Sequence, residues 1–156
     1  MKTRVTRKKD EINMLTVNIK QLDSTLPLPS YARQGDAGCD LYSRTNAKLK
    51  PGERKLIPTG ISVAIPPGYA GFIQPKSGLA LRNGIGIVNA PGLIDAGYRG
   101  EIYVVLINHD RKKEFEIKRG DKICQLVIQK VEKINFAAVT ELDETQRGEA
   151  GFGSTG

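Results

Sequence analysis

Short β-rich runs, broken by turn residues at intervals of roughly 8–12 residues, recur along almost the whole chain and leave little room for helix. Residues 16–22 alternate as Thr-Val-Asn-Ile-Lys-Gln-Leu. Residues 61–65 read Ile-Ser-Val-Ala-Ile with period two, and Pro66-Pro67-Gly68 closes that run. Further runs lie at 70–74, 85–88, 101–108, 114–117, 123–131 and 136–139. Pro51-Gly52, Pro58-Thr-Gly60, Pro91-Gly92, His109-Asp110 and Arg119-Gly-Asp121 separate them. The spacing predicts an all-β fold: a sandwich, jelly roll or barrel. The best helical stretch, 77–82, is a turn or two stopped by Asn83-Gly84.

At 156 residues the chain fits one domain and can bury a core without disulfide or metal staples. We expect a basic leader over 1–13, the β domain over 14–143 and a glycine-rich arm over 144–156. No apolar run approaches the roughly 20 residues that cross a bilayer, which excludes a membrane protein. The basic start lacks the apolar stretch of a secretory signal. Cys39 and Cys124 are isolated and His109 is the single histidine, so a zinc site is excluded and both thiols read as reduced, in a cytoplasmic protein. The net charge is +7, of which residues 1–13 carry +3. That balance favours an anionic partner, nucleic acid or a small phosphorylated ligand. Arginines are not interleaved with aromatics, so no stable nucleic-acid binding is expected.

Four clusters stand out. Gly151-Phe-Gly-Ser-Thr-Gly156 spells a dinucleotide-binding pattern but neither follows a strand nor opens a helix, and no lysine makes it a phosphate loop. Its glycines still let backbone N–H groups approach phosphate oxygens, with Ser154 and Thr155 as hydroxyl donors and Arg147 as a two-pronged cation. Phe152 can stack on a base; the bland alternative is a frayed tail. In Asn89-Ala-Pro-Gly-Leu-Ile-Asp-Ala-Gly-Tyr-Arg-Gly-Glu101, Asp95 stands where a hairpin turn is expected, as a turn-forming carboxylate or as a general base acting on water. Lys76 and Ser77 precede the helical turn, a favourable place for an anion. Asp36-Ala-Gly-Cys-Asp-Leu41 puts two carboxylates in a turn before a strand.

Taken in order, five blocks resemble the five motifs of the trimeric deoxyuridine triphosphatase (dUTP diphosphatase, dUTPase) family. They are Ala37-Gly-Cys-Asp-Leu41, Pro75-Lys-Ser-Gly-Leu-Ala80, Gly92-Leu-Ile-Asp-Ala-Gly-Tyr-Arg-Gly-Glu101, Gly120-Asp-Lys-Ile-Cys-Gln-Leu126 and the stretch 147–156. The resemblance spans about 16–156, and its third and fifth blocks are the most specific. It implies a jelly-roll-like β-barrel that assembles as a homotrimer with active sites between subunits. It also implies hydrolysis of dUTP to dUMP and pyrophosphate with Mg²⁺ held by the triphosphate, which keeps uracil out of DNA and supplies dUMP for dTTP synthesis.

On the same resemblance, Asp95 orients the water that attacks the α-phosphorus. Tyr98 packs under the deoxyribose and excludes a 2′-OH, and Asn89 faces the uracil edge. Asp40 touches the water shell of Mg²⁺, while Lys76, Ser77, Gly78 and Gln125 meet the phosphate chain. Arg147, Gly153, Ser154 and Thr155 bind the terminal phosphate, and Phe152 stacks on uracil. Two departures bear on this. Lys76 stands where the second motif usually has Arg, which keeps the charge and loses the planar fork. Glu149-Ala150 replaces a commoner small or glycine pair. The alternatives are a dCTP deaminase of the same superfamily, which relies on a glutamate in the hairpin region and lacks the complete fifth motif, a nucleotide-sensing regulator, and a nucleic-acid-binding module.

Overall fold

The computed structural model describes residues 14–151. Along them run β1 (Asn18–Gln21), β2 (Cys39–Tyr42), β3 (Ala47–Leu49), β4 (Arg54–Pro58), β5 (Ile61–Ala64) and β6 (Tyr69–Gln74). Then come α1 (Ser77–Asn83), β7 (Ile85–Ile87), β8 (Gly92–Ile94), β9 (Tyr103–Asn108), β10 (Phe115–Ile117) and β11 (Lys122–Lys130). The expected leader, 1–13, lies outside the described residues, as do Phe152, Gly153, Ser154 and Thr155.

Every ladder is antiparallel. The largest sheet has the order β2-β11-β6-β8; the others are β4-β9-β7, β1-β5 and β3-β10. The nine-residue β11 pairs with β2 on one side and β6 on the other, so it is the spine of the sheet that carries the candidate site. Among the described residues the four sheets stay separate and do not join into one closed barrel. No helix among them is long and apolar enough to cross a membrane.

Period-two burial builds the core. In β9, Val104, Leu106 and Asn108 turn inward, where they meet Leu41, Leu49, Ile65, Ile102, Ile117 and Ile123. Each such aliphatic side chain contributes about 1.5–3 kcal/mol on leaving water. Asn108 is wholly buried and fully bonded: its Nδ2 donates to Leu49 O at 3.0 Å and Lys113 O at 2.8 Å, and its Oδ1 accepts from Asp110 N at 2.9 Å. The α1 helix follows the expected stretch and is capped by Gly84 in the left-handed region (φ 64°), whose N–H donates to Ala80 O at 3.0 Å.

The structure differs from the sequence reading in three places. Residues 136–139 form no strand, because no partner strand among the described residues lies beside them to satisfy their backbone groups. Strands β3, β4 and β8 are absent from the reading: β3 and β4 are short and lysine- or arginine-bearing, β8 starts at Gly92 where a turn was expected, and β4 is an edge strand, which tolerates Pro58 at its end. Asp40 lies within β2 and not in the turn before it, since its N–H donates to Ser30 O at 3.1 Å and it pairs with Gln125 across the ladder.

Candidate active site

Across three neighbouring strands the register sets Asp40 (β2), Gln125 (β11) and Gln74 (β6) side by side. Directly opposed residues share a face of the sheet, so the three line one wall of a cleft of about 320 Å³. Ala32, Asp36, Ala37, Gly38, Lys76 and Val127 complete it. Gln125 is anchored at its amide, Nε2 donating to Pro75 O at 3.2 Å.

Asp40 is buried (6% exposed) and carries two ammonium partners: Oδ1 accepts from Lys76 Nζ, and Oδ2 accepts from Lys122 Nζ at 2.8 Å. Burial alone would raise its pKa; the hydrogen bonds from Lys122 and Lys76 outweigh that and hold the carboxyl below its ordinary value. The same contact raises the pKa of Lys122. The cleft thus presents a charged carboxylate, a partly exposed ammonium and two carboxamides, a set suited to a polyphosphate and its counter-cation.

Lys76 is the N-cap residue of α1, extended at φ −89° and ψ 120°, and Ser77 opens the helix at the surface. The Arg82 guanidinium lies over Gly78, one turn back. Of these residues only Lys76 lines the cleft.

Asp95 sits at the surface just after β8, as the first residue of a turn closed by Tyr98 N donating to Asp95 O at 3.0 Å. Arg99 staples that turn through Nη1 to Ala96 O at 2.6 Å and Tyr98 O at 2.8 Å. The Tyr98 hydroxyl donates to Glu101 O at 2.8 Å. Glu101 in turn is fixed by Gly60 N at 2.8 Å and by Arg44 at 3.3 Å, so the end of the turn is tied to the body of the fold. Among the described residues the Asp95 carboxylate accepts no hydrogen bond. It lines a second cleft of about 560 Å³ together with Tyr69, Ala96, Arg99 and Lys133.

The two clefts share no residue: within one chain, Asp95 is not brought together with Asp40, Lys76 and Gln125. Asn89 is exposed in the loop between β7 and β8, beside Gly92, and lines neither cleft. Arg147 lies in an exposed turn where its own Nε donates to Ala150 O at 2.9 Å. The left-handed residue of that turn is Gly148 (φ 51°).

Gln74 and Lys122 were not among the sequence-derived site residues, and Asp36 stood there only as one of two carboxylates in a turn, with no role assigned. Both Gln74 and Asp36 flank motif residues, and pairing β6 with β11 would have set Gln74 beside Gln125. The register shift between Lys122 and Cys124 hides Lys122: an unbroken strand would turn residues three apart to opposite faces, yet Lys122 and Gln125 both adjoin Asp40. As for a metal, no group of three or more His, Cys, Asp or Glu among the described residues could hold one. The first cleft holds only two carboxylates, Asp40 paired with two lysines and Asp36 accepting from Arg33 N at 2.8 Å, which fits a Mg²⁺ that keeps its waters and rides on substrate phosphates, and does not fit a protein-built cage.

Fold and clefts together define a mostly β protein with one short helix, whose largest sheet carries a cleft lined by two carboxylates, an ammonium group and two carboxamides. The dUTPase family model matches residues 24–156. The deoxyuridine 5′-triphosphate nucleotidohydrolase of Corynebacterium glutamicum is 55% identical over 144 residues, covering 92% of this chain and 97% of that protein. The one of Streptomyces avermitilis is 52% identical, covering 91% of this chain and 81% of its own. Among solved structures, a mutant dUTPase of Staphylococcus bacteriophage 80alpha with dUpNHpp superposes with a TM-score of 0.84 at 28% identity, over 92% of this chain and 99% of that one. A mutant dUTPase from phage phi11 of S. aureus, described with a structural Mg(II) ion, gives 0.76 at 26% identity, over 83% of this chain and 100% of that one. The chain belongs to the dUTPase family and is an enzyme of that kind.

Proposed function

We propose that the protein hydrolyses dUTP to dUMP and pyrophosphate, in the cytoplasm, as a homotrimer whose ladders close into a jelly-roll-like barrel and whose sites lie between subunits. The reaction would keep uracil out of DNA and supply dUMP for dTTP synthesis. Water oxygen bonds to the α-phosphorus as the bond from that phosphorus to the oxygen bridging it to the β-phosphate breaks. The water proton passes to the Asp95 carboxylate, and pyrophosphate leaves. Asp95 suits this because its carboxylate is exposed, accepts no hydrogen bond among the described residues and sits on a turn stapled by Arg99. Mg²⁺ carried by the triphosphate supplies charge neutralisation for the leaving group.

The residues around the nucleotide bind and orient. Lys76, Ser77, Gly78 and Gln125 hold the phosphate chain, and Asp40 accepts hydrogen bonds from waters on the cation. Tyr98 fills the space a 2′-OH would need, and Asn89 pairs with the uracil edge. Arg147, Phe152, Gly153, Ser154 and Thr155 belong to the arm, 144–156, which closes over a site and excludes water.

The observation that carries this reading is the Asp40–Gln125–Gln74 row with Lys76 at its rim, which presents donors and a counter-charge for a metal-bearing polyphosphate. Sharing between copies is supported by the separation of the Asp95 cleft from that row. It is also supported by the exposure of Ile134, Phe136, Val139 and Leu142, with Phe136 at 88%, on a segment whose apolar faces suit a second copy. A pyrophosphate-release panel with dUTP, dTTP, dCTP and UTP, each with and without Mg²⁺, tests it. We expect release from dUTP, strongest with Mg²⁺; ammonia release from dCTP, or no turnover of dUTP, would overturn it.

A further inference from the structure

Among the described residues Asp40 is the one carboxylate that divides its oxygens between two lysine ammonium groups, and the two approach it differently. Lys76, on Oδ1, lines the polyphosphate cleft with Gln74 and Gln125. Lys122, on Oδ2 at 2.8 Å, is absent from that lining. Its residue borders the neighbouring cavity of about 260 Å³ formed with Leu79, Phe115, Ile117 and Ile123. The register shift at the start of β11 is what brings Lys122 onto Asp40 from this outer side.

We propose that Lys122 is a positioning residue: by holding Oδ2 from outside the cleft it keeps Oδ1 turned into the cleft, where Lys76 is a displaceable partner whose place the hydrated cation of a nucleotide polyphosphate takes. The inference rests on the function proposed above and assigns that site a residue and an order of exchange. An aspartate carboxylate turns easily about its last bond, a broad, roughly two-fold torsion, so one anchored oxygen sets where the other points. A carboxylate held by two ammonium groups has no free charge for a third cation until one leaves. Lys76 can leave, because it is a point charge on a flexible stem and incoming phosphates offer it a new anion. Lys122 stays, because its approach is from outside the cleft. With an arginine fork at 76 the exchange would break two parallel bonds; with lysine it breaks one.

The test uses the full chain and the non-hydrolysable analogue α,β-imido-dUTP, titrated by calorimetry with and without Mg²⁺. The quantity read is the gain in affinity that Mg²⁺ confers. We expect K122M to lower that gain roughly ten- to a hundredfold, as loss of an outer partner of a metal-binding group does, with the Mg²⁺-free affinity unchanged. K122Q should behave like K122M, and K122R should restore most of the gain. Lys122 has a half-exposed side chain at a strand end, so these changes leave the core alone. A K122M gain equal to wild type, an equal loss with and without Mg²⁺, or failure of K122R to rescue overturns the proposal while wild-type binding keeps the nucleotide reading intact. Absence of wild-type binding overturns both.

Discussion

Gly38 lies so close to Gln125 that a β-carbon on the glycine would stand 2.8 Å from Gln125 Oε1 and 3.2 Å from Gln125 Cβ. The missing side chain is what lets the stretch leading into β2 run beside the carboxamide and leave it hydrogen-bonded to Pro75 O. Gly38→Ala therefore displaces Gln125 with little disturbance to the core. If Gln125 holds the phosphate chain, the loss corresponds to one hydrogen bond to a charged group, about 1.5–3 kcal/mol, or roughly 10- to 100-fold in kcat/KM for dUTP. Steady-state kinetics with a thermal melt check this. Wild-type kinetics in a folded Gly38→Ala protein would remove Gln125 from the site.

A second close approach bears on sugar selection. The Tyr98 ring folds back over Gly100, where a β-carbon would stand 2.6 Å from Tyr98 Cζ, and the hydroxyl is pinned to Glu101 O. A rigid ring cannot yield as a flexible chain end can, so Gly100→Ala must swing Tyr98 out of place. We expect the preference for dUTP over UTP to fall roughly tenfold or more, equivalent to about 1.4 kcal/mol of lost discrimination. Competition between the two nucleotides measures this; unchanged preference would mean that Tyr98 does not select the sugar.

These two glycines also mark how far the sequence could be read. The period-two runs found β5, β6, β7, β9, β10 and β11 to within a residue or two, because their inward positions are aliphatic and turn residues bound them. The helix at Ser77–Asn83 was legible from its glycine stop. The run at 136–139 misled, since alternation reports burial against something and not pairing within the same chain. The five motif blocks located Asp40, Lys76, Gln125 and Asp95, but not that the first three share one cleft while Asp95 lines another. That depends on register, and the contact of Lys122 with Asp40 depends on an irregularity of register that composition does not encode.

Asp23 gives a pH-dependent contribution to stability away from the site. Its Oδ1 accepts from Thr25 Oγ1 at 2.6 Å and Thr25 N at 3.1 Å, and its Oδ2 accepts from Arg119 Nη2 at 2.7 Å. The bonds from Thr25 and then Arg119 lower its pKa to about 2, against an ordinary 3.8. A folded-state pKa below the unfolded one means that the contribution is complete above the unfolded value and is lost as pH falls from about 4 towards 2. Melting temperature should therefore drop more steeply over that window in wild type than in Asp23→Asn. Parallel curves would show that the contact carries no linkage.

Asp95→Asn separates binding from chemistry. The turn that presents residue 95 is closed by the main chain, Tyr98 N to Asp95 O, and stapled by Arg99 through carbonyls, so the amide keeps the backbone as it is. The lost carboxylate accepts no hydrogen bond among the described residues, and its replacement costs the fold nothing it uses. What changes is the ability to take a proton from water, a contribution of roughly 10²–10⁴ in rate. We expect kcat for dUTP to fall by that factor or more while the affinity for α,β-imido-dUTP and the melting temperature stay at wild-type values. Stopped-assay pyrophosphate release and calorimetric titration read the two quantities independently. An Asp95→Asn enzyme with near-normal turnover would move the base elsewhere, and Asp36, the other carboxylate of the polyphosphate cleft beside the lysine-bound Asp40, would be the group to replace next.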